Sequence, residues 1–580
     1  MKRILIVLTI ILCALLLASC DDSSSSTSSS DANSVGSKRN IDSLDSDYSS
    51  VSYGATLYIN VEDQTYKTSS SGSYESITSS KITIFDNATI RFKDNRINID
   101  ISEYEGNLAL NITGTASSAC SVKVKTRESS GYVLGVTLDS ATIISDNYPC
   151  LDITNCDKVI MNVTGTNSFT DGRSYGTDYS DYSDHKGSLY TNGALVLYGS
   201  GSLSITEGYK HAVYSDDYIH ILNGTYTTSS TGRDGFRVKN AFIMDDGTVS
   251  ITGTGNNTNN ESRGIVVVGS EEDYADEGYV EIRDGSITIN TVGKGITAKW
   301  DVDDDAETSS TSDDPDPYVK IEGGTINITT TGTPYEGTSS TTVTDADGAT
   351  STETPKLSPE GIEGKADVYI TGGTITISAT DDCINAGDDM NISGGTIYAV
   401  SSSNDALDSN GDMNISGGTI VALAGSSPEC AFDCDESATF TISGGLIAGI
   451  GTNNYSVPEG TGQGTVVLSK DYYGSSTVTI QNSSGEIVYA YDIPTGYTSS
   501  SNILILSGPG IELGNTYKVV TGTASGGSET NGIYTVMPTS LSSTSTTVSS
   551  FTVSSSSAVY TASNAGTNGG PQEGPKPSHP

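Results

Sequence analysis

Residues 382–418 read DCINAGDDMNISGGTIYAVSSSNDALDSNGDMNISGG, and the carboxylates in this stretch fall on a period. Asp382 and Asp405 are separated by 23 residues, the same offset that separates the two copies of MNISGGTI starting at Met390 and Met413. If each period is one layer of a stack, the two carboxylates sit about 4.8 Å apart. At that spacing they repel by about 1 kcal/mol in water, and by several times more at an effective dielectric near ~20. Repeating the arrangement is costly unless a cation lies between the layers. Ligands that are all oxygen point to a hard ion, and a shell of about six to eight of them suits calcium better than magnesium. Asp381, Asp382 and Asn385 lie in one layer, Glu360 and Glu363 in the layer before, and Asp405, Asp408 and Asp433 in the layers after. These eight residues are the candidate calcium ligands. As solvent-facing turn residues, Asp and Asn would also be ordinary choices.

A five-residue phrase carries these positions. It reads Lys210-HAVY, Arg233-DGFR, Ser262-RGIV, Gly293-KGIT, Pro359-EGIE, Asp381-DCIN, Asn404-DALD and Glu429-CAFD. Its second position runs His211, Asp234, Arg263, Lys294, Glu360, Asp382, Asp405, Cys430, and its fifth runs Tyr214, Arg237, Val266, Thr297, Glu363, Asn385, Asp408, Asp433. Acidic residues gather in the last four layers.

The elements that must position them are strands. Glycine followed by apolar–polar alternation recurs at Gly201, Gly224, Gly247, Gly285, Gly324, Gly373, Gly395, Gly418 and Gly445. The commonest spacing is about 23 residues, and longer ones carry polar insertions such as 300–317 and 331–358. Twenty-three extended residues cover roughly 75 Å, enough for one closed coil of short strands, and stacking turns each Ile column into a continuous ladder. The sequence therefore predicts an all-β, right-handed parallel β-helix of 22–23-residue coils with β caps at both ends.

The phrase and the GGTI repeats, together with an export signal, resemble the bacterial carbohydrate-binding β-helix proteins related to calcium-dependent pectate lyases. The likeness covers roughly 135–455. It implies a metal held by aspartates at i, i+1 and i+4 plus one from a neighbouring coil. Asp381, Asp382, Asn385 and Asn404, Asp405, Asp408 match that spacing, with one Asn for Asp in each. In those lyases a lysine a coil or two beyond the metal removes the proton α to the substrate carboxylate. Here no lysine occurs between Lys365 and Lys470, although Lys365 could reach in from the preceding coil. The reading is calcium-dependent binding of an acidic, uronate-containing polysaccharide without catalysis. A β-eliminating lyase and a structural or adhesive stalk remain the alternatives. Arg237, Lys294, Lys299, Trp300 and Lys365 are the candidate sugar contacts.

A formal charge of −42 argues against nucleic acid or anionic membrane surfaces as partners. Lys2 and Arg3, then the apolar run Ile4–Leu17, form an export signal ending at Leu17-Ala-Ser-Cys20, which resembles a lipobox. Cys20 is thus the expected lipidation site, tying a monomeric protein to the surface of the cell envelope. The expected organisation is signal peptide 1–19, Ser-rich tether 20–50, N-terminal β segment 51–134, β-helix 135–455, C-terminal β cap 456–536 and low-complexity, disordered tail 537–580. Six further cysteines allow up to three disulfides in an oxidising compartment. No HExxH motif or paired CxxC suggests zinc.

Overall fold

The computed structural model describes residues 39–562 apart from short internal stretches, of which 175–184, 270–277, 301–316 and 345–349 are the longest. The expected signal peptide and Cys20 lie outside the described residues, as does the side chain of Trp300.

Each coil contributes three short strands to parallel ladders. In one coil these are Ile362–Gly364, Val368–Ile370 and Thr374–Ala379. They pair in parallel with Ile384–Ala386, Met390–Ile392 and Thr396–Ser401 of the next coil, and those with Leu407–Ser409, Met413–Ile415 and Thr419–Leu423. The first ladder forms a sheet of 14 strands, and the other two lie in a sheet of 29. The chain therefore winds as a parallel β-solenoid. Alternation selects what faces inward. Ile375, Ile397, Ile420 and Ile447 form one fully buried column, and Ile370, Ile392, Ile415 and Ile442 another.

The Gly-Gly pairs serve two purposes. The second glycine bends the chain at positive φ, for example +87° at Gly395, where residues with a side chain are strained. The first lies against the preceding coil: a Cβ on Gly394 would sit 2.2 Å from the Thr371 carbonyl oxygen.

Both ends are closed. An antiparallel meander of Ile82–Phe85, Ala88–Lys93 and Arg96–Asp100 begins the 14-stranded sheet. Parallel stacking starts within the predicted N-terminal segment, since Arg96–Asp100 already pairs in parallel with Ser121–Lys125. At the far end Ile503–Ser507 pairs antiparallel with Leu446–Gly451 of the last coil, so that coil's edge is not left open.

Two expectations are corrected, and the possible disulfides do not form among the described residues. The predicted disordered tail instead supplies Ser540–Thr552, paired antiparallel with Thr516–Ser525, and Val559–Ala562, paired with Thr465–Ser469. The end of the predicted tether is ordered: a helical turn, Ile41–Asp45, packs Ile41 among Ile160, Val196, Ile243 and Tyr279. Arg39 pairs with Asp217, Lys158 with Asp45 at 2.6 Å and Arg283 with Asp42 at 2.6 Å. His220 lies between Asp45 (2.9 Å) and Asp245 (3.1 Å). Finally, Cys120, Cys150, Cys156, Cys383, Cys430 and Cys434 are all free thiols, each buried as a small apolar side chain.

Candidate functional site

In the 14-stranded sheet the middle residue of each three-residue strand points outward, flanked by core residues such as Ile384 and Ala386. Strand pairing stacks these outward residues as Tyr214, Arg237, Val266, Thr297, Glu363, Asn385, Asp408 and Asp433. This is the fifth-position column read from the sequence, held one strand spacing per coil by backbone hydrogen bonds. Beside it run His211, Asp234, Arg263, Lys294, Glu360, Asp382, Asp405 and Cys430.

The ladder divides into two electrostatic regimes. Upstream, each carboxylate has a cation. Arg263 grips Asp234 through Nε at 2.7 Å and Nη2 at 3.0 Å, and His211 Nδ1 lies 3.1 Å from the same carboxylate. Lys294 Nζ lies 2.6 Å from Glu360 and 3.0 Å from Glu363, and Lys365 Nζ is 2.7 Å from Glu363. Thr297 also donates to Glu363 at 2.6 Å. Burial alone would lower the Lys294 pKa, but the two glutamates outweigh it and raise it. Burial likewise opposes ionisation of Glu363, yet Lys294 and Lys365 hold it below the usual carboxylate range. Glu360, buried beside the Glu363 charge, is pushed up to about 8. These two glutamates, predicted as calcium ligands, are thus occupied by lysines.

Downstream the cations stop. The sequence contains no Lys, Arg or His from 366 to 469. Asp381, Asp382, Asp405 and Asp408 are all buried, while Asn385 and Asp433 are half-buried. Burial, then Asp408, Asp405 and Asp381, push the Asp382 carboxyl well above its ordinary value. Burial, then Asp408 and Asp433, do the same to Asp405. The two asparagines act as neutral donors, Asn385 within its own coil and Asn404 across to the coil before. Asn385 Nδ2 donates to Asp382 at 3.2 Å, and Asn404 Nδ2 to Asp381 at 2.7 Å. The Asp405 amide donates to Asp382 Oδ1 at 3.0 Å, and the Cys430 amide donates to Asp405 Oδ1.

Among the described residues two groups could hold a metal; Asp42, His220 and Asp245 are engaged with Arg283 and Asp45, which leaves the acidic ladder. Asp405, Asp408 and Asp433 each offer a carboxylate oxygen, all within 4.8 Å of one another, from two adjacent coils. Three hard carboxylate oxygens without a neighbouring cationic side chain in that stretch of sequence, which a bound cation would hold ionised, match a divalent hard ion, with backbone or water completing its shell. Glu429, which the sequence reading left out, borders the group. Burial, Asp433 and Asp381 raise its pKa. Its signal was the first position of the phrase, where Asp381, Asn404 and Glu429 form a third polar column.

The remaining predicted contacts lie upstream. Lys299 and Trp300 end the strand Ile296–Trp300, stacked on Val268 and Gly269. Arg237 is half-buried on the outward column.

The family model described as carbohydrate-binding domain-containing protein matches residues 95–404, more than half of the chain. No curated protein matches it. Among solved structures the chain is similar to a polysaccharide lyase-like protein from C. thermocellum, determined as a gadolinium derivative. The identity is 13%, with 47% of this chain and 92% of that chain covered, and the TM-score is 0.30.

Proposed function

The chain belongs to the carbohydrate-binding domain-containing protein family, and from that premise we propose that it binds acidic, uronate-containing polysaccharide through calcium held on its acidic ladder. The observation that carries this reading is the Asp405–Asp408–Asp433 cluster in a run of coils that supplies no cationic residue of its own. Asp382 and Glu429 complete the acidic surroundings. A uronate carboxylate meets repulsion from bare aspartates, whereas it can take a ligand position on a calcium they hold.

Binding is favoured over elimination by the state of the lysines. Lys294 is clamped between two glutamates that stabilise its charged form, so it is a poor general base. Lys365 is paired with Glu363. The reading includes a right-handed coil, the hand of parallel crossovers. It also includes a monomer exported by residues 1–19 and held at the envelope surface by lipid on Cys20.

Affinity electrophoresis of the mature protein in polygalacturonate gels tests the proposal. Retardation is expected in calcium and not in chelator, with no rise in ultraviolet absorbance from unsaturated products. Equal mobility with and without calcium would overturn it.

A further inference from the structure

Upstream of the calcium ladder, a chain with formal charge −42 holds a local excess of positive charge. Arg233, Arg237 and Arg263 gather beside Asp234, and the further carboxylates Glu261 and Glu363 act on Arg263. Asp234 is fully buried and already taken by Arg263 and His211. Glu261 stands 3.7 Å from Arg263. Among the described residues neither Arg233 nor Arg237 has a side-chain hydrogen bond or ion pair, and Nε of Arg233 is buried without a partner. Both residues are half-buried rather than enclosed, so an external anion can reach the exposed part of each. Burial lowers the Arg237 pKa. Asp234 opposes that shift, while Arg263 and Arg233 add to it. Two guanidinium groups with unused donors, held rigidly on stacked strands, form a receptor for planar oxyanions.

Their position relates them to the acidic end. Arg237 stands in the same outward column as Asp408, and the register between them runs through Val266, Thr297, Glu363 and Asn385. Five strand spacings of about 4.8 Å make roughly 24 Å. A pyranose with its glycosidic oxygen spans about one such spacing, so a chain of roughly six residues laid along the column reaches both places.

We propose that Arg233 and Arg237 form a second carboxylate-binding subsite for the same uronate chain whose other end is held through calcium at Asp405, Asp408 and Asp433. The inference rests on the calcium–uronate reading and adds a minimum ligand length to it. Joining two subsites on one chain makes the second contact intramolecular, so long oligomers gain affinity that short ones cannot.

The test is calorimetric titration of the mature protein in saturating calcium with galacturonate oligomers of three and ten residues. The wild type is expected to bind the decamer at least about tenfold more tightly than the trimer, the scale of a charge-assisted hydrogen bond. The Arg233→Gln/Arg237→Gln variant is expected to lose that advantage and bind the trimer unchanged, with an unaltered melting curve. Arg237→Lys alone is expected to keep most of it. A decamer affinity untouched by the double substitution overturns the subsite, as does an equal fall for both lengths. If the wild type binds both oligomers equally, the calcium site stands and the second subsite falls. If it binds neither, the calcium–uronate reading fails first and takes this inference with it.

Discussion

Replacing Asp405 with Asn removes one charge from the cluster while keeping its shape, and the effect on stability should reverse sign with calcium. In the metal-free protein, Asp405, Asp408 and Asp433 present carboxylate oxygens within 4.8 Å of each other. At an effective dielectric of ~20, each ionised pair at that distance repels by about 3.5 kcal/mol. Asp405→Asn relieves two such pairs, and its amide oxygen can still accept the Cys430 N–H that Asp405 Oδ1 accepts. The gain is smaller than that sum, because burial and like charge already favour the protonated form of Asp405. In calcium the order inverts. At a calcium concentration ~100 times Kd, binding adds about 2.7 kcal/mol to wild-type stability. If loss of a ligand weakens affinity ~100-fold, the same concentration adds about 0.4 kcal/mol to the variant. Thermal melts in chelator and in calcium would show this as crossed transitions, with the variant the more stable in chelator and the less stable in calcium. A variant that melts below the wild type in chelator and keeps the full calcium increment would refute the reasoning.

Other expectations follow from the same geometry. Asp382→Asn/Asp405→Asn should fold, because the Ile columns carry the core, yet lose polygalacturonate binding. Retention of both calcium and uronate binding by the folded double variant would show these carboxylates to be ordinary turn residues. Gly394→Ala should destabilise more than Gly395→Ala, since its Cβ would meet a backbone oxygen at 2.2 Å, whereas at Gly395 the nearest backbone oxygen lies at 2.8 Å and φ strain adds about 1–2 kcal/mol. Melting temperatures of the two variants decide the order. The docked segment at 39–46 should release in alkali. Asp45 and Asp245, against burial, hold pKa values below the ordinary carboxylate value, and their hydrogen bonds to the imidazole raise His220 to about 9. A raised histidine stabilises fully below its unfolded pKa near ~6.5 and loses that contribution as pH rises through about 9. The two lowered aspartates contribute above about 3.8 and fail only in stronger acid. Amide exchange of residues 40–46, corrected for intrinsic rates, should stay slow at pH 6 and accelerate above pH ~9. Unchanged protection there would remove His220 from the latch.

The repeating half of this protein is written locally. Alternation decides which Ile faces inward, Gly-Gly marks each bend, and an offset of about 23 residues stacks like on like. Because a one-residue slip would turn the whole core outward, the apolar pattern pins the register. The column Tyr214 to Asp433 could therefore be read from the sequence and recurs in the strand pairing. The tertiary structure decided which charges meet. Lys294 reaches Glu360 across 66 residues because the strand Ile296–Trp300 pairs directly with Ile362–Gly364, so the two coils touch although their sequences are far apart. Asp45 finds His220 across 175 residues, which turns the end of a polar tether into a docked turn. Ser540–Thr552 reads as a low-complexity tail because both its faces are largely exposed, and only pairing with Thr516–Ser525 makes it a strand. Periodic apolar contacts are encoded one coil at a time. Ion pairs and sheet edges depend on partners at irregular separations, and their identity emerges only when the chain is wound.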